Sequence, residues 1–342
     1  DVKFYQDWVI HSTYDDYWSA IDTSNKYSQI DVPVFIRCGW FDAYSGGTFR
    51  LWQGMTQHAK SEKARRSQKV LMGPWSHLEP DGTRMGDLDF GPSSYIQVIE
   101  EELRWFDHWL KGIDTGVMEE PPLRIFVMGA NQWRFESQWP LERTRFTPYH
   151  MTSKGRANSL HGNGTLTTEL PGAGPPDQYD YDPQRPVPSI GGNNSTHSWA
   201  WTVTADEPII PGPVDQRPIE RRDDVLVYTG EALEKDLEVT GPVEMILYAA
   251  SSAPDTDFTA KLVDVFPSGY AVNITEGLIR ARFRNSFEKP ELLEPGEVNR
   301  YTIRLYPTSY VFKSGHRIRV DISSSNFPRF SRNLNTSEDV AT

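Results

Sequence analysis

Two apolar, strand-forming runs, Val34-Phe35-Ile36 and Val70-Leu71-Met72, each end in a turn marked by Gly or Pro. The first turn reads Gly39-Trp40-Phe41-Asp42 and the second Gly73-Pro74-Trp75-Ser76-His77. From Thr48 to about Arg66 lies an amphipathic segment carrying Phe49, Leu51, Trp52 and Met55, the pattern of a helix with one apolar face. Strand, helix and strand in that order predict a βαβ unit with parallel strands and a right-handed crossover. Both turns then fall at the C-terminal edge of one buried sheet, where open α/β sheets present reactive side chains. A further helix is expected behind Ser93 or Ser94. Tyr95, Ile99, Leu103, Phe106, Leu110 and Ile113 step by three and four, and Lys111-Gly112 supplies a stop. Its apolar stripe is expected to cover one face of the sheet.

From about Pro121 the pattern changes to short alternating runs separated by Pro/Gly turns. Strands are predicted over 123–128, 145–151, 224–229, 243–250, 258–266, 278–284, 299–306 and 316–323. Ile303/Leu305 and Ile318/Val320/Ile322 have the period of two of strands with one buried face. Pro267-Ser268-Gly269 is a hairpin signal. The stretch 171–222, rich in Pro, Gly, Asp and Asn, reads as long ordered loops. At the other end, Tyr14, Trp18 and Ile21 recur at helical spacing ahead of the first strand. The predicted class is therefore α/β followed by all-β, the second part a sandwich or jelly roll. A length of 342 residues suits two domains.

Composition removes several functions. Acidic residues (47) outnumber basic ones (35), and no Lys/Arg block stands out, so nucleic acid and anionic membranes are poor partners. No apolar run is long enough to span a bilayer. A soluble chain is expected, with the compartment unassigned and the cytoplasm favoured. The single Cys38 excludes an internal disulfide, a cysteine-built zinc site and a CxxC motif, and its strand-end position suggests a buried thiol. His150, His161, His197 and His316 lack metal-ligand spacing, so no metal or cofactor is expected.

Asp42 and His77 carry the chemistry. In chain order they match the second half of Ser…Asp…His, the order of α/β-hydrolase triads, in which the His moves the serine's proton and the Asp fixes the imidazole tautomer. The first half is absent, because no G-x-S-x-G occurs in the sequence. Ser76 and Ser45 are poor substitutes: one adjoins His77, the other lies past Asp42 without an elbow. The nucleophile is expected outside this chain.

The chain resembles the cocaine esterase-like (CocE/NonD) hydrolases, which share their architecture with X-Pro dipeptidyl-peptidases. The matching stretches are Gly39–Asp42, Gly73–His77, Trp105-Phe106-Asp107-His108-Trp109-Leu110-Lys111-Gly112 and Arg124-Ile125-Phe126-Val127-Met128-Gly129. In the β half they include Asp215-Gln216-Arg217-Pro218-Ile219, 255–265, Gly315-His316-Arg317-Ile318 and Ser323-Ser324-Ser325-Asn326-Phe327-Pro328. The resemblance implies the C-terminal part of an α/β-hydrolase sheet domain followed by a jelly roll. Residues 1–22 would end a helical cap, 23–120 would belong to the sheet domain, and 121–342 would form a jelly roll truncated at its end.

It also implies Asp42 and His77 as catalytic residues, with a Ser nucleophile and an oxyanion-hole Tyr upstream of this chain. Tyr44 matches an acyl-pocket aromatic. Trp75, and Ser195 in the loop Gly191–Trp201, are further substrate-binding candidates. In that loop Asn193, Asn194, Ser195 and Thr196 replace a more apolar run. The related α-amino acid ester hydrolases place carboxylates close behind the catalytic Asp, whereas Ala43, Tyr44 and Ser45 follow it here. The implied activity is cleavage of small-molecule esters or amides through an acyl-enzyme, of carboxylesterase or acylase type. An X-Pro dipeptidyl-peptidase type stays open, as does an inert fragment whose jelly roll is a binding module. The partner expected for an active enzyme is an N-terminal segment or second chain carrying the Ser. Self-association is left open.

Overall fold

The computed structural model describes residues 3–77, 82–194 and 210–338. Helices α1 (Lys3–Ile10) and α2 (Asp16–Ile21) open the chain, α2 capped by the Asp15 carboxylate on the Tyr17 amide. Strands β1 (Val34–Gly39) and β2 (Gln68–Gly73) then run parallel, from Val34 opposite Gln68 to Gly39 opposite Gly73. The crossover between them holds α3 (Ser45–His58), which buries Phe49, Trp52 and Met55, and the short α4 (Glu62–Arg66), capped by Ser61. The predicted βαβ unit is present with its expected parallel pairing.

A small hairpin, β3 (Arg84–Met85) and β4 (Leu88–Asp89), follows the second turn. Helix α5 (Val98–Lys111) ends at Gly112, whose φ of 71° is the left-handed conformation of a helix stop. The α5 expectation needs correction. Ile99, Leu103, Phe106 and Leu110 are exposed, Leu110 at 77 %. The face turned to the sheet carries Val98 and Trp105, with Trp105 packed on Phe35 and Glu102 paired with Arg37 at 3.5 Å. At about 100° per residue, these positions lie roughly a quarter-turn round the axis from the predicted stripe. The helix therefore has two apolar faces, and periodicity alone picked the longer one.

Strand β5 (Leu123–Val127), grouped by its pattern with the all-β half, pairs in parallel with β2. Strand β6 (Gln132–Glu136) then pairs antiparallel with β5, giving the order β1-β2-β5-β6. The change of pattern near Pro121 thus marks the end of the helical connections, while the first sheet continues beyond it. The outer edge of β1 has no strand partner among the described residues.

The remainder is β-rich. Strands β7 (His150–Thr152), β8 (Gly164–Thr167), β9 (Leu226–Gly230), β12 (Asp257–Val265), β13 (Ala271–Arg280) and β16 (Arg317–Ser323) form one sheet in the order β13-β12-β16-β9-β8-β7. Its pairings are antiparallel except β8 on β9. Strands β10 (Leu237–Gly241) and β15 (Thr308–Phe312) pair with each other, as do β11 (Glu244–Ala249) and β14 (Asn299–Arg304). Helix α6 (Arg217–Glu220) is a single turn. The predicted hairpin joins β12 to β13, closed by Phe266 N–H on Tyr270 O at 2.8 Å.

The two parts share one apolar core, running from Trp40 and Phe126 to Tyr301 and Ile322. Backbone bonds cross between them, with Met128 N–H donating to Ser309 O and Val311 N–H to Met128 O. The β-rich part is thus docked against the edge of the first sheet that carries the two strand-end turns.

Candidate active site

The two turns are zipped together beyond the ends of their strands. Trp40 N–H donates to Gly73 O at 2.9 Å and Phe41 N–H to Trp75 O at 3.0 Å, extending the β1–β2 pairing. Close approach requires both leading glycines. A Cβ on Gly39 would collide with the Trp75 carbonyl, and one on Gly73 with the Trp75 ring. Trp75 itself is buried at 4 % exposure and packs on Trp133, 5.8 Å between ring centres. This is the residue that the sequence offers as a substrate-binding candidate, and its indole is packed beneath the two turns.

Asp42 occupies the tight turn between β1 and α3. Its N–H donates to Gly39 O, its carbonyl accepts from Ser45 N–H, and its Oδ1 accepts from Tyr44 N–H at 2.9 Å. That leaves Oδ2 facing His77, whose Nδ1 lies 3.2 Å away. An ionised carboxylate only accepts, so this contact favours the imidazole form with its proton on Nδ1, the form that leaves Nε2 its lone pair. Asp42 is buried, while the His77 side chain keeps about a third of its surface, 32 %. A buried acceptor behind a half-exposed imidazole suits proton transfer at the outer nitrogen.

Tyr44 is exposed, and its ring meets the His77 ring edge-on with 5.4 Å between centres. It therefore borders the exposed side of the imidazole. Ser45 is fully buried, and its hydroxyl donates to Asp42 O at 2.8 Å. Ser76 is buried as well. Ser195 lies outside the described residues.

Cys38, one strand residue before Gly39, is buried as expected. Burial, and then the neighbouring Asp42 charge, push its thiol up to about 12. Iodoacetamide at neutral pH is expected to leave Cys38 unmodified in the folded chain and to alkylate it on unfolding. Prompt alkylation of the native chain, read by intact mass, would contradict this placement.

Sequence reasoning missed a polar group behind the acid turn. Asn193, with no exposed surface, donates from Nδ2 to Trp40 O at 2.6 Å, to Ser45 Oγ at 3.2 Å and to Asp42 O at 3.3 Å. Its own backbone is gripped by Glu276 and Arg329. The available signal was the loop Gly191-Gly192-Asn193-Asn194, whose paired glycines mark a close backbone approach. Among the described residues, no group of three or more His, Cys, Asp or Glu side chains could hold a metal ion. No described helix is long and apolar enough to cross a membrane.

With that geometry in place, comparison with known proteins defines the class. Residues 1–79 match the family model for X-Pro dipeptidyl-peptidase (S15 family), and residues 115–341 the one for the X-Pro dipeptidyl-peptidase C-terminal non-catalytic domain. The chain belongs to this family, which includes the cocaine esterase-like (CocE/NonD) hydrolases. Among individual proteins, it is 40 % identical over 342 residues to cocaine esterase from a Rhodococcus species, covering 98 % of this chain and 56 % of that protein. It is also similar to the crystal structure of an aminopeptidase from a marine sediment Thaumarchaeota archaeon, with a TM-score of 0.81 and 28 % identity. That match covers 98 % of this chain and 55 % of the other. An α-amino acid ester hydrolase shares the fold at a TM-score of 0.78 and 24 % identity, covering 98 % of this chain and 55 % of the other. The chain spans about half the length of the curated relatives it matches.

Proposed function

We propose that this chain forms the acid–base part of a serine hydrolase that cleaves ester or amide bonds through an acyl-enzyme. The observation that carries the reading is the 3.2 Å contact between His77 Nδ1 and Asp42 Oδ2 at the shared rim of β1 and β2. A serine hydroxyl brought to Nε2 would lose its proton to His77 as its oxygen attacks the acyl carbon. Asp42 holds the imidazole in the accepting tautomer and stabilises the imidazolium. The tetrahedral adduct then expels the alcohol or amine, which takes the proton from Nε2. Water, deprotonated by the same nitrogen, releases the acid and restores the serine.

The nucleophile and its oxyanion hole would come from a polypeptide upstream of this chain or from a second chain. The open edge of β1 and the exposed apolar stripe of α5 are surfaces such a polypeptide would cover. We read the β-rich part as a jelly roll. Substrates are taken to be small esters or amides of the carboxylesterase or acylase kind. The 40 % identity to cocaine esterase favours this over an X-Pro dipeptidase. The residues after Asp42 also lack the carboxylates that would hold an ammonium group.

Fluorophosphonate labelling tests the reading. The chain alone is expected to stay unlabelled. Co-expressed with the serine-bearing upstream part of a relative, it should support labelling of that serine, and His77→Ala should abolish it. An adduct on a serine within residues 1–342 would overturn the account.

A further inference from the structure

Asn193 reaches the acid turn because its loop is built to lie flat on the β-rich sheet. Gly191 and Gly192 have φ of 68° and 81°, and a Cβ on Gly192 would collide with the Glu276 carboxylate. Reciprocal bonds between Gly192 and Gly212, at 2.8 and 3.0 Å, pin the loop from the other side. Asn193 N–H then donates to Glu276 Oε1 at 3.2 Å, and its carbonyl accepts from Arg329 Nε at 2.7 Å. Both anchors are themselves held, Glu276 by Asn326 Nδ2 at 3.0 Å and Arg329 by the Tyr306 hydroxyl at 2.7 Å.

From this fixed backbone the side-chain amide crosses to the first sheet. Every first-sheet atom that its Nδ2 bonds is an acceptor, while its Oδ1 is buried with no hydrogen-bond partner among the described residues. Trp40 O and Asp42 O are carbonyls, and the Ser45 hydroxyl gives its own proton to Asp42 O, leaving a lone pair for the amide. Only a donor fits at this position, and the group it holds is the backbone that carries Asp42.

We propose that Asn193 is a positioning residue for the Asp42–His77 pair, fixing the turn from which Asp42 reaches the imidazole. The inference rests on the reading of that pair as the hydrolase's acid–base machinery. At 3.2 Å, the pair sits beyond the 2.7–2.9 Å or so usual for a charge-assisted bond. Drift of the turn would therefore break the bond and release the imidazole tautomer. The part of the chain that matches a domain described as non-catalytic thus sets the geometry of the catalytic pair.

Long-range proton–nitrogen NMR of the chain with isotope-labelled histidine, at about pH 8 where imidazole is neutral, reads the His77 tautomer directly. The unsubstituted chain should show His77 mainly as the Nδ1–H form, and Asp42→Asn should remove that signature. Asn193→Ala should shift the tautomer ratio towards Nε2–H by roughly threefold or more. Arg329→Lys keeps the charge but removes the Nε–H donor to the Asn193 carbonyl, and should shift the ratio the same way by less. Melting temperatures are read alongside, since a purely structural role lowers stability without moving the tautomer. An unchanged His77 signature in folded Asn193→Ala, or in Arg329→Lys if the alanine variant fails to fold, overturns the proposal. Absence of the Nδ1–H form in the unsubstituted chain would instead remove the underlying pair, and the inference with it.

Discussion

In the proposed hydrolase, formed by this chain with a serine-bearing part, Asp42→Asn is expected to lower kcat by roughly 10⁴-fold while leaving KM and melting temperature close to those of the parent. The replacement is nearly isosteric. Asn Oδ1 can still accept from Tyr44 N–H, so the turn keeps its internal bond. The atom facing His77 Nδ1, however, becomes an N–H₂ donor, which favours the imidazole with its proton on Nε2. That nitrogen then has no lone pair for the serine proton. His77→Ala removes the base outright and should cost at least as much. A fall in kcat below tenfold for Asp42→Asn, with the variant folded, would show that Asp42 does not set the tautomer. A rise in KM at constant kcat would assign it to substrate binding instead.

The parts of this site visible in the sequence are those written in short range. The runs ending at Gly39 and Gly73 are apolar, each is followed by a turn, and a helix's length of chain separates them, so pairing them in parallel was a local inference. The 3.2 Å contact between Asp42 and His77 follows from that pairing, because the register puts Gly39 opposite Gly73 and the turns leave side by side. The packing of Trp75 is hidden from the sequence for a similar reason. Its neighbours Gly39 and Gly73 are small so that its ring can fill the space above them, a packing demand that only the pairing exposes.

What the sequence hid is tertiary. The α5 stripe has perfect helical spacing, yet its shorter face, with Trp105 against Phe35, meets the sheet. Strand β5 looks like the β-rich strands because both alternate, and its parallel partner β2 lies far back in the chain. Strands β8, β10 and β15 are short or rich in Gly, Thr and Ser, so their pattern is weak and their pairing comes from neighbours. Asn193 is the extreme case. It serves the first sheet from a loop 151 residues away from Asp42 in the chain, and no spacing rule connects the two.

The same long-range construction makes the β-rich part sensitive to charge. Glu220, Lys261, Glu276, Arg319 and Asp321 are all buried between the face of β12, β13 and β16 and the α6 turn, with three carboxylates against two cations. Arg319 donates to Glu220 Oε2 at 2.6 Å and to Thr229 Oγ1 at 2.9 Å, while Lys261 donates to Gln216. Burial, and then the Glu220 charge, hold the Asp321 carboxyl well above its ordinary range. Burial raises Glu220 too, despite Arg319 beside it. Arg319→Met is therefore expected to cost about 3–5 kcal/mol, because it leaves Glu220 buried without its cation.

The sign of the pH effect follows from the raised carboxyls. Folding favours their protonated forms, so the stability they contribute is complete below the ordinary carboxylate range and is lost as pH rises through their raised folded values. Arg319→Met should consequently lose more stability between pH 5 and about pH 8 than the parent does, read as the shift in urea midpoint. Asp321→Asn removes one of the competing carboxyls. In the Arg319→Met background it should recover part of the loss at the higher pH and little at the lower one. Equal losses for Arg319→Met at both pH values, with no recovery by Asp321→Asn, would mean that these carboxyls stay ionised in the fold and that the guanidinium stabilises by packing alone.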